Sequence, residues 1–558
     1  MIKRIATIVC LFCVSFSSFA QTIPENFNFE HITSTPILEG GRYKPLEAYA
    51  GKAMETMTGR WTYNGHNPTA YVISIAASPE WANKNLILID YRPLKELIGL
   101  EPTQKRFSYN TLFNNGELMR LQQRVMQKVQ TKQDLSTLEN KVANIMHRLN
   151  IFQRIQSGEA LTIVPPPPGS KPEAEWLTLS QMGVYAEEKQ NEILQTWNQV
   201  LSSIREQNAA QFEEATKSLN TQLAALHPER VPTDAQMQRE INFYRTRPFL
   251  YSWIFYLIAF FAFLISFQFP NKITTWTGIV TIGIGYIYNT YGFISRSLIA
   301  GHPSVSNMYE SVIFVGWGII TIALVFELIY RQRWFATMAS IMGVAMLIFA
   351  DLMPFDSNIE PLVPVLKSNY WLIIHVMTIT LSYSAFALAT ALAHVVLLLY
   401  FIHSNRHQLL FTLSLFLYRV LQVGIVLLAA GTIFGGVWAA ESWGRFWGWD
   451  PKETWALISL LGYLAILHAR YTGWLRNIGT AVSSILGFWL ILMTWYGVNF
   501  VLGTGLHSYG FGAGGGWYVL GFLLFESFFL IAFAARYYLS DTLKTSADTL
   551  QPQSVDGN

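Results

Sequence analysis

The sequence predicts an all-α polytopic membrane protein, in which a bundle of about nine transmembrane helices follows a mainly helical exported soluble region. Hydrophobic residues make up 51% of the 558 residues and charged residues only 13%, whereas a soluble globular chain carries about 25% charged residues. The long apolar stretches lie after residue 247, and the chain between residues 21 and 247 is polar. A formal net charge of +3 is too small to indicate a nucleic-acid partner.

The first element is a secretory signal peptide over residues 1–20. A basic start precedes an apolar core, and Ser18-Phe19-Ala20 has the small-x-small pattern of a cleavage site. An uncleaved membrane anchor is the alternative interpretation of this segment. Cys10 and Cys13 are the only cysteines of the sequence, so cleavage leaves a mature protein that cannot exchange disulfides itself.

The second element, residues 21–247, is predicted to be an exported soluble region. Two stretches repeat apolar residues three and four positions apart, which is the spacing of one helix face, and the prolines and glycine of residues 165–169 separate them. The pattern predicts a helical hairpin or short coiled coil, whose stripes either pack against each other or dock a partner protein. The stripes consist of Leu135, Leu138, Val142, Ile145, Leu149 and Phe152, and of Ile193, Trp197, Val200 and Ile204.

The third element, residues 248–540, is predicted to be the transmembrane domain, and residues 541–558 are predicted to be a cytoplasmic tail. A span needs about 20 mostly apolar residues. The candidate spans lie at about 248–269, 274–295, 309–330, 335–353, 370–402, 411–438, 453–470, 478–502 and 516–537.

Basic residues orient these spans, because short cytoplasmic loops carry an excess of Lys and Arg. They fall in alternate loops, so the other loops and the soluble region face the exported side. We therefore expect a multi-pass protein of a bacterial inner (cytoplasmic) membrane with a periplasmic N-terminal region. The basic residues are Lys272, Arg331, Arg333, Arg406, Arg470, Arg476 and Arg536, and the exported loops are 296–308, 354–369, 439–452 and 503–515.

The exported loop before the seventh span is rich in tryptophan. Trp443, Trp447, Trp449 and Trp455 lie within thirteen residues. They form either an interfacial aromatic belt, where amphipathic rings rest at headgroup level, or a flat shelf for a large planar ligand. Asp450 in the same run stands directly before a proline, which predicts a helix N-cap at this position.

Two histidines are predicted on the same side as this loop. His375 lies at the exported end of its span, and His507 lies in an exported loop. Imidazole nitrogens commonly hold heme iron, and two axial histidines make the iron six-coordinate. A solvated or core role is the alternative for each histidine.

The segment WGRFWGWDPKETWAL closely resembles the tryptophan-rich (WWD) segment of the CcsA (ResC) proteins of system II cytochrome c biogenesis, a family of heme-handling membrane proteins. Further motifs of that family follow in order over about two hundred residues of the C-terminal membrane half. These motifs are His302 to Ser311, His375 with Ser382-Tyr383, His468-Ala-Arg470, Val498-Asn499 and Gly505 to Gly510.

The resemblance implies that heme b is bound, presented at the exported face and attached through thioether bonds to apocytochromes c that carry a CxxCH site. The chain would then be a component of a cytochrome c heme lyase. The implied partners are a ResB/CcsB-like membrane protein, the apocytochromes, a thiol-reducing protein and membrane lipid. The implied heme-binding residues are His375, His507, His468, Trp443, Trp447, Trp449, Asp450 and Trp455.

Within this set, His468 is implied to hold an inner heme site. It lies roughly 20 Å from the exported face at 1.5 Å per helical residue, so it cannot share one iron with His375 and His507. The second ligand of the inner site is expected from the ResB-like partner. His394, also well inside a span, is the in-chain alternative, and its other interpretation is packing in the bundle.

Other interpretations stay open. The chain is alternatively a heme exporter or chaperone resembling CcmC, which forms no bond, or a non-heme transporter or respiratory subunit. Arg445 and Lys452 either pair with heme propionates or are surface charges, and Asn307 and Glu310 are expected to position neighbouring loops. The Gly-rich segment 503–516 follows a span, not a strand, so it is not a dinucleotide fingerprint.

Overall fold

The structure is a computed structural model, which describes residue 23 and residues 26–171, 174–353, 355–362, 368–402, 407–507 and 516–549. The predicted signal peptide with Cys10 and Cys13 lies outside the described residues, as does the end of the predicted tail. The chain divides into two compact units, one up to Arg245 and one from Thr246 onwards.

The N-terminal unit is mainly helical and carries two small antiparallel sheets, in which β1 pairs with β2 and β3 with β4. Short 3-10 turns lie at Pro79–Asn83 and Leu179–Val184. The strands are β1 Pro36–Glu39, β2 Arg42–Pro45, β3 Asn85–Leu88 and β4 Arg106–Ser108. The helices are α1 Glu30–Thr33, α2 Leu46–Thr58, α3 Pro68–Ala77, α4 Arg92–Leu97, α5 Tyr109–Phe113, α6 Gly116–Gln130, α7 Thr137–Gln156, α8 Glu187–Arg205, α9 Ala209–Leu226 and α10 Asp234–Thr246.

The β1–β2 hairpin turns through Gly40 and Gly41, whose φ angles of 60° and 74° favour glycine. Just after the turn, Arg42 donates two hydrogen bonds of 2.6 and 2.7 Å to the buried carboxylate of Glu240. A bidentate pair fixes geometry as well as charge, so this contact holds α10 against the hairpin.

The two predicted helices of this unit are present as α7 and α8, and their apolar stripes are largely buried in one core. The helices with which they mainly pack differ from the prediction. α7 pairs with α6, and α8 pairs with α9. The reason is the length of the connections, because elements joined by short loops usually pack side by side, whereas thirty residues separate α7 from α8. The spacing of a stripe predicts a buried face but not its partner.

The second unit consists of nine long helices in the described residues, at the positions of the nine predicted spans. A short helix Asn369–Trp371 and a π-helical turn Leu372–Val376 lead into α15, and a π-helical segment Met493–Leu502 continues α18. The nine helices are α11 Pro248–Gln268, α12 Lys272–Ala300, α13 Met308–Tyr330, α14 Trp334–Leu352, α15 Met377–Ile402, α16 His407–Trp443, α17 Pro451–Tyr471, α18 Asn477–Leu492 and α19 Gly516–Thr549.

Seven of the nine helices, counted in the described residues, are long and apolar enough to cross a membrane by length and composition. The other two are α12, which is rich in Thr, Gly and Tyr, and α17, which carries charged residues at both ends. Both belong to the same bundle and pack against the apolar helices. The protein is therefore an all-α polytopic membrane protein, as predicted.

A buried ion pair connects the loops at one end of this bundle. Arg296 donates to Glu310 at 2.9 Å, and it also donates to the backbone carbonyls of Ser357 and Asn358. Asn307 caps the N-terminus of α13 by accepting the amide of Glu310. Glu310 therefore helps to position the neighbouring loop through Arg296, as expected, whereas the contact of Asn307 caps its own helix.

Candidate functional site

A mainly apolar cavity opens between α13, α15, α16, α17 and the π-helical segment after α18. The empty space within it measures about 1020 Å³, a figure that includes the open space at its mouth. Both π-helical segments contribute to its wall, and such segments are frequent at functional sites. The lining residues used below are Ser311, His375, Tyr383, Trp438, Trp447, Lys452, Glu453, Trp495, Asn499 and His507.

His375 enters the cavity from the π-helical turn before α15. Its Nδ1 lies 2.8 Å from the carbonyl oxygen of Gly431 in α16. A carbonyl only accepts, so Nδ1 carries the proton and the lone pair of the neutral ring lies on Nε2. The close approach depends on Gly435, since a Cβ there would lie 2.6 Å from Cε1 of His375.

His507 reaches the same cavity from the other side, in the segment after α18. Its Nδ1 lies 2.8 Å from Oδ2 of Asp450, and the ring of Trp443 meets it edge-on at 5.2 Å between centroids. The ionised carboxylate accepts a hydrogen bond from Nδ1–H, so the lone pair of the neutral imidazole lies on Nε2. The structure thus brings His375 and His507 into one site with matching tautomers.

Asp450 is the N-cap of α17, as the sequence predicts, and it forms a capping box with Glu453. It does more than cap the helix, because it accepts the amide of Leu506 as well as the ring proton of His507. Burial alone raises the pKa of Asp450, but the hydrogen bonds from His507 and from the amides of Leu506 and Lys452 outweigh it and lower the pKa below its usual value. Asp450 therefore stays ionised at neutral pH.

The four predicted tryptophans do not form one shelf. Trp447 lines the cavity, and Trp443 contacts His507. Trp449 is 70% exposed, with a left-handed φ of 58° that is unusual for a bulky residue. Trp455 is half-buried and lies outside the cavity lining. The helix turn that starts at Pro451 explains the split, since it redirects the chain between Trp449 and Trp455.

Three other aromatic residues line the cavity and are not among the predicted heme-binding residues, although Tyr383 lies in one of the motifs named above. Trp438 lies 5.7 Å from the ring of His375, between centroids. Trp495 donates its indole N–H to the hydroxyl of Ser311 at 2.9 Å, and the ring of Tyr383 lies 5.9 Å from that of Trp495. Trp438 stands five residues before the tryptophan run, which was an available signal. No sequence signal distinguished Trp495 from other aromatic residues within spans.

The two candidate cations have different surroundings. Arg445 pairs with Glu453 at 3.1 Å and lies over the ring of Trp443, 5.7 Å from its centroid. Lys452 lines the cavity, and its Nζ donates to the carbonyl oxygen of Trp495 at 3.3 Å. Arg445 is therefore part of the loop's own structure, whereas Lys452 faces the space where a ligand would lie.

The structure does not bring His468 or His394 to this cavity. His468 is exposed near the end of α17, and its Nδ1 contacts the carbonyl of Leu464. Both ring nitrogens of His394 are engaged, with the carbonyl of Thr390 at 2.8 Å and with Glu526 of α19 at 2.9 Å.

A family match falls on the part of the chain that forms the cavity. The family described as cytochrome C assembly protein matches residues 305–507, and the lining residues begin at Val305 and end at His507. The cytochrome c biogenesis protein CcsA of Guillardia theta is 38% identical over 243 residues, which cover 39% of this chain and 79% of the relative.

Two other relatives differ in how much of the chain they cover. The cytochrome c biogenesis protein CcsA of Pyropia yezoensis is 33% identical over 304 residues, or 46% of this chain and 93% of the relative. Protein NrfI of Wolinella succinogenes is 32% identical over 493 residues, which cover 84% of this chain. The chain spans about half the length of NrfI, since the match covers 53% of that protein.

Proposed function

This chain belongs to the CcsA family of cytochrome c biogenesis proteins, and on that premise we propose that its cavity binds heme at the exported face of the bacterial inner membrane. The bound heme b is then presented to apocytochromes c that carry a CxxCH site and is attached to them. The observation that carries the proposal is that His375 and His507 line one cavity. In this proposal Trp447 and Trp443 contact the porphyrin, and the cavity forms the outer heme site.

The donor set fits a heme iron. Each imidazole has its Nδ1 proton accepted by an oxygen, the carbonyl of Gly431 or the carboxylate of Asp450. Metal-ligating histidines usually donate the other ring N–H to an oxygen in this way, because the hydrogen bond fixes the tautomer and orients Nε2. The aromatic and aliphatic side chains of the wall suit a large apolar macrocycle.

The attachment reaction places few chemical demands on this chain. Heme supplies two vinyl groups, and each client thiol adds across one of them, so that sulfur bonds to one carbon and the thiol hydrogen goes to the other. The chain's own residues contribute binding, orientation and exclusion of water. We assign the orientation to His375 and His507, and the client histidine then displaces one of them to release the product.

We extend the proposal to a second, inner heme site at His468, with a ResB-like membrane protein supplying the other histidine and a thiol-reducing protein keeping the client cysteines reduced. The contacts of His394 support the partner, since both its ring nitrogens are engaged in this chain. Trp449 and Trp455, which do not line the outer cavity, then contact heme outside it or face the client.

Spectroscopy of the purified protein tests the outer site. His375→Gly and His507→Gly are expected to lower the heme content or shift the Soret band, and added imidazole is expected to restore part of both. His407→Gly, at the first residue of α16 and outside the cavity lining, is the matched control and should leave the spectrum unchanged. Wild-type spectra in both cavity variants would falsify the assignment.

A second measurement separates attachment from simple delivery. The chain is co-expressed with its membrane partner and a c-type client, and the client is tested for heme that survives denaturation. Covalent heme on the client supports the synthase function. Heme-loaded membrane protein without covalent client heme supports a delivery protein that forms no bond.

A further inference from the structure

One side of the cavity carries polar groups whose hydrogen-bonding capacity is only partly used. Lys452 lies in the first turn of α17, and an ammonium group has three N–H donors. The described contact of its Nζ is the 3.3 Å bond to the carbonyl of Trp495. Lys452 thus retains donors for a group that enters the cavity.

The acidic residues near Lys452 are engaged with other cations. In the described residues, the ion pairs of this loop join Asp450 to His507 and Glu453 to Arg445, and neither includes Lys452. A cation in a poorly solvated wall is costly without an anion beside it. The side chain therefore favours a ligand that brings a negative charge.

Asn499 stands next to Lys452 in the same wall. Its amide Nδ2 donates at 3.0 Å to the carbonyl of Trp495, the same oxygen that accepts from Lys452. Asn499 is 8% exposed, and its Oδ1 is buried without a hydrogen-bond partner among the described residues. Buried polar atoms are rarely left unpaired, so this oxygen points to a ligand that brings a donor.

We propose that Lys452 and Asn499 form a subsite for the two carboxyl groups on one edge of the bound porphyrin. One propionate, as the carboxylate, accepts from Nζ of Lys452, and the other, as the neutral acid, donates to Oδ1 of Asn499. This inference rests on the proposed heme function and adds to it the orientation of the ring, because anchoring the carboxyl edge turns the opposite edge away from this wall. Arg445 has no part in the subsite, since Glu453 already pairs with it.

The test compares ferric heme with its dimethyl ester, which can neither carry the charge nor donate. Both are titrated into the purified full-length protein, and affinity is read from the Soret band. For the wild type we expect the ester to bind roughly tenfold to hundredfold more weakly, the range for a lost charge-assisted hydrogen bond. Lys452→Met is expected to lower the affinity for heme by a similar factor and to leave that for the ester unchanged.

Two further variants keep the test decisive. Lys452→Arg should restore the preference for heme, and Asn499→Leu should reduce that preference without affecting the ester. Arg445→Gln is the matched cation control and should change both affinities by the same factor. Equal binding of heme and ester by the wild type, or equal loss of both in Lys452→Met and Asn499→Leu, overturns the subsite. If the wild type binds neither porphyrin through His375 and His507, the proposed function is overturned instead.

Discussion

The two cavity histidines differ in the group that accepts a hydrogen bond from their Nδ1–H. His375 is backed by a neutral carbonyl, whereas His507 is backed by the buried carboxylate of Asp450. When the ring nitrogen that does not bind the metal donates a hydrogen bond to a carboxylate, the imidazole becomes a more basic ligand. Because the pKa of Asp450 is lowered below its usual value, this effect persists throughout the physiological pH range.

Asp450→Asn is expected to weaken heme binding by about tenfold to hundredfold, the usual effect of losing a carboxylate that accepts a hydrogen bond from a ligating histidine. Asn still caps a helix well, so α17 should remain folded. The measurements are heme affinity and the reduction potential of the bound iron, which a purely structural role would leave unchanged. Asp450→Ser caps the helix but is too short to reach His507, and it should behave like Asp450→Asn. An unaltered potential in both variants contradicts the role.

The sequence predicts individual residue roles well where neighbouring residues determine them. The N-cap at Asp450 followed from the proline after it, and the shared side of His375 and His507 followed from the alternation of basic loops. The direction of individual tryptophans did not follow, because a left-handed turn at Trp449 and the start of α17 decide which rings face the cavity. Lys452 was left open for the same reason.

At the scale of the elements, α16 lies close to the ring of His375 at a position occupied by glycine. Gly435→Ala places a methyl carbon only 2.6 Å from Cε1 of His375, so the ring is expected to move and the heme affinity to fall. In a helix interior this substitution otherwise stabilises by up to about 1 kcal/mol. Gly521→Ala in α19, with no atom within 4 Å of the added carbon, is the control and should bind heme normally. Equal heme affinity in the two variants removes the steric argument.

The N-terminus of α7 gives a prediction on pH. Hydrogen bonds from the Lys128 side chain and from Ser136 lower the pKa of Glu139 from 4.5 to about 2. Its stabilisation is therefore complete above pH 4.5 and is lost as the pH falls towards 2. Glu139→Gln should speed hydrogen exchange at the start of α7 at pH 7, and the difference from the wild type should shrink at acidic pH.

The control for Glu139 is Glu117→Gln in α6. Glu117 forms an exposed pair with Arg120, and exposed pairs contribute little to stability. Hydrogen exchange in α6 is expected to change only slightly in this variant. A pH-independent difference between Glu139→Gln and the wild type contradicts the assigned pKa.

At the scale of the whole molecule, length and apolarity predict the positions of seven long helices, and α12 and α17 also lie at predicted positions although they fall outside that set. The sequence does not predict partners within the soluble unit, where α6 and α9 pair with the two striped helices. Orientation across the membrane rests on the loop charges and is directly testable.

Cysteines introduced at Ser442 and Thr472 are expected to label from opposite sides of the membrane with an impermeant thiol reagent. Ser442 lies at the end of α16 beside the tryptophan run, and Thr472 caps the other end of α17. Both positions are exposed, and Cys10 and Cys13 are changed to serine as background. The predicted topology is wrong if Thr472→Cys labels from outside.

The need for a membrane partner is tested by expressing this chain alone with an apocytochrome, in a host without other c-type maturation. We expect no holocytochrome until a ResB-like protein is added. His468→Ala should impair heme loading, whereas His394→Gln, which keeps a donor towards Glu526, should not. Efficient maturation by the chain alone contradicts the requirement for a partner.

The contact between His394 and Glu526 also bears on how the protein is made. The apolar window of α19 is only 11% buried in the described structure, yet the helix carries Glu526 where it meets α15. An acidic side chain in mid-membrane hinders insertion of an isolated helix. During synthesis α19 leaves the ribosome after α15, so His394 precedes Glu526 into the bilayer. We therefore expect stable insertion of α19 to depend on correct placement of α15.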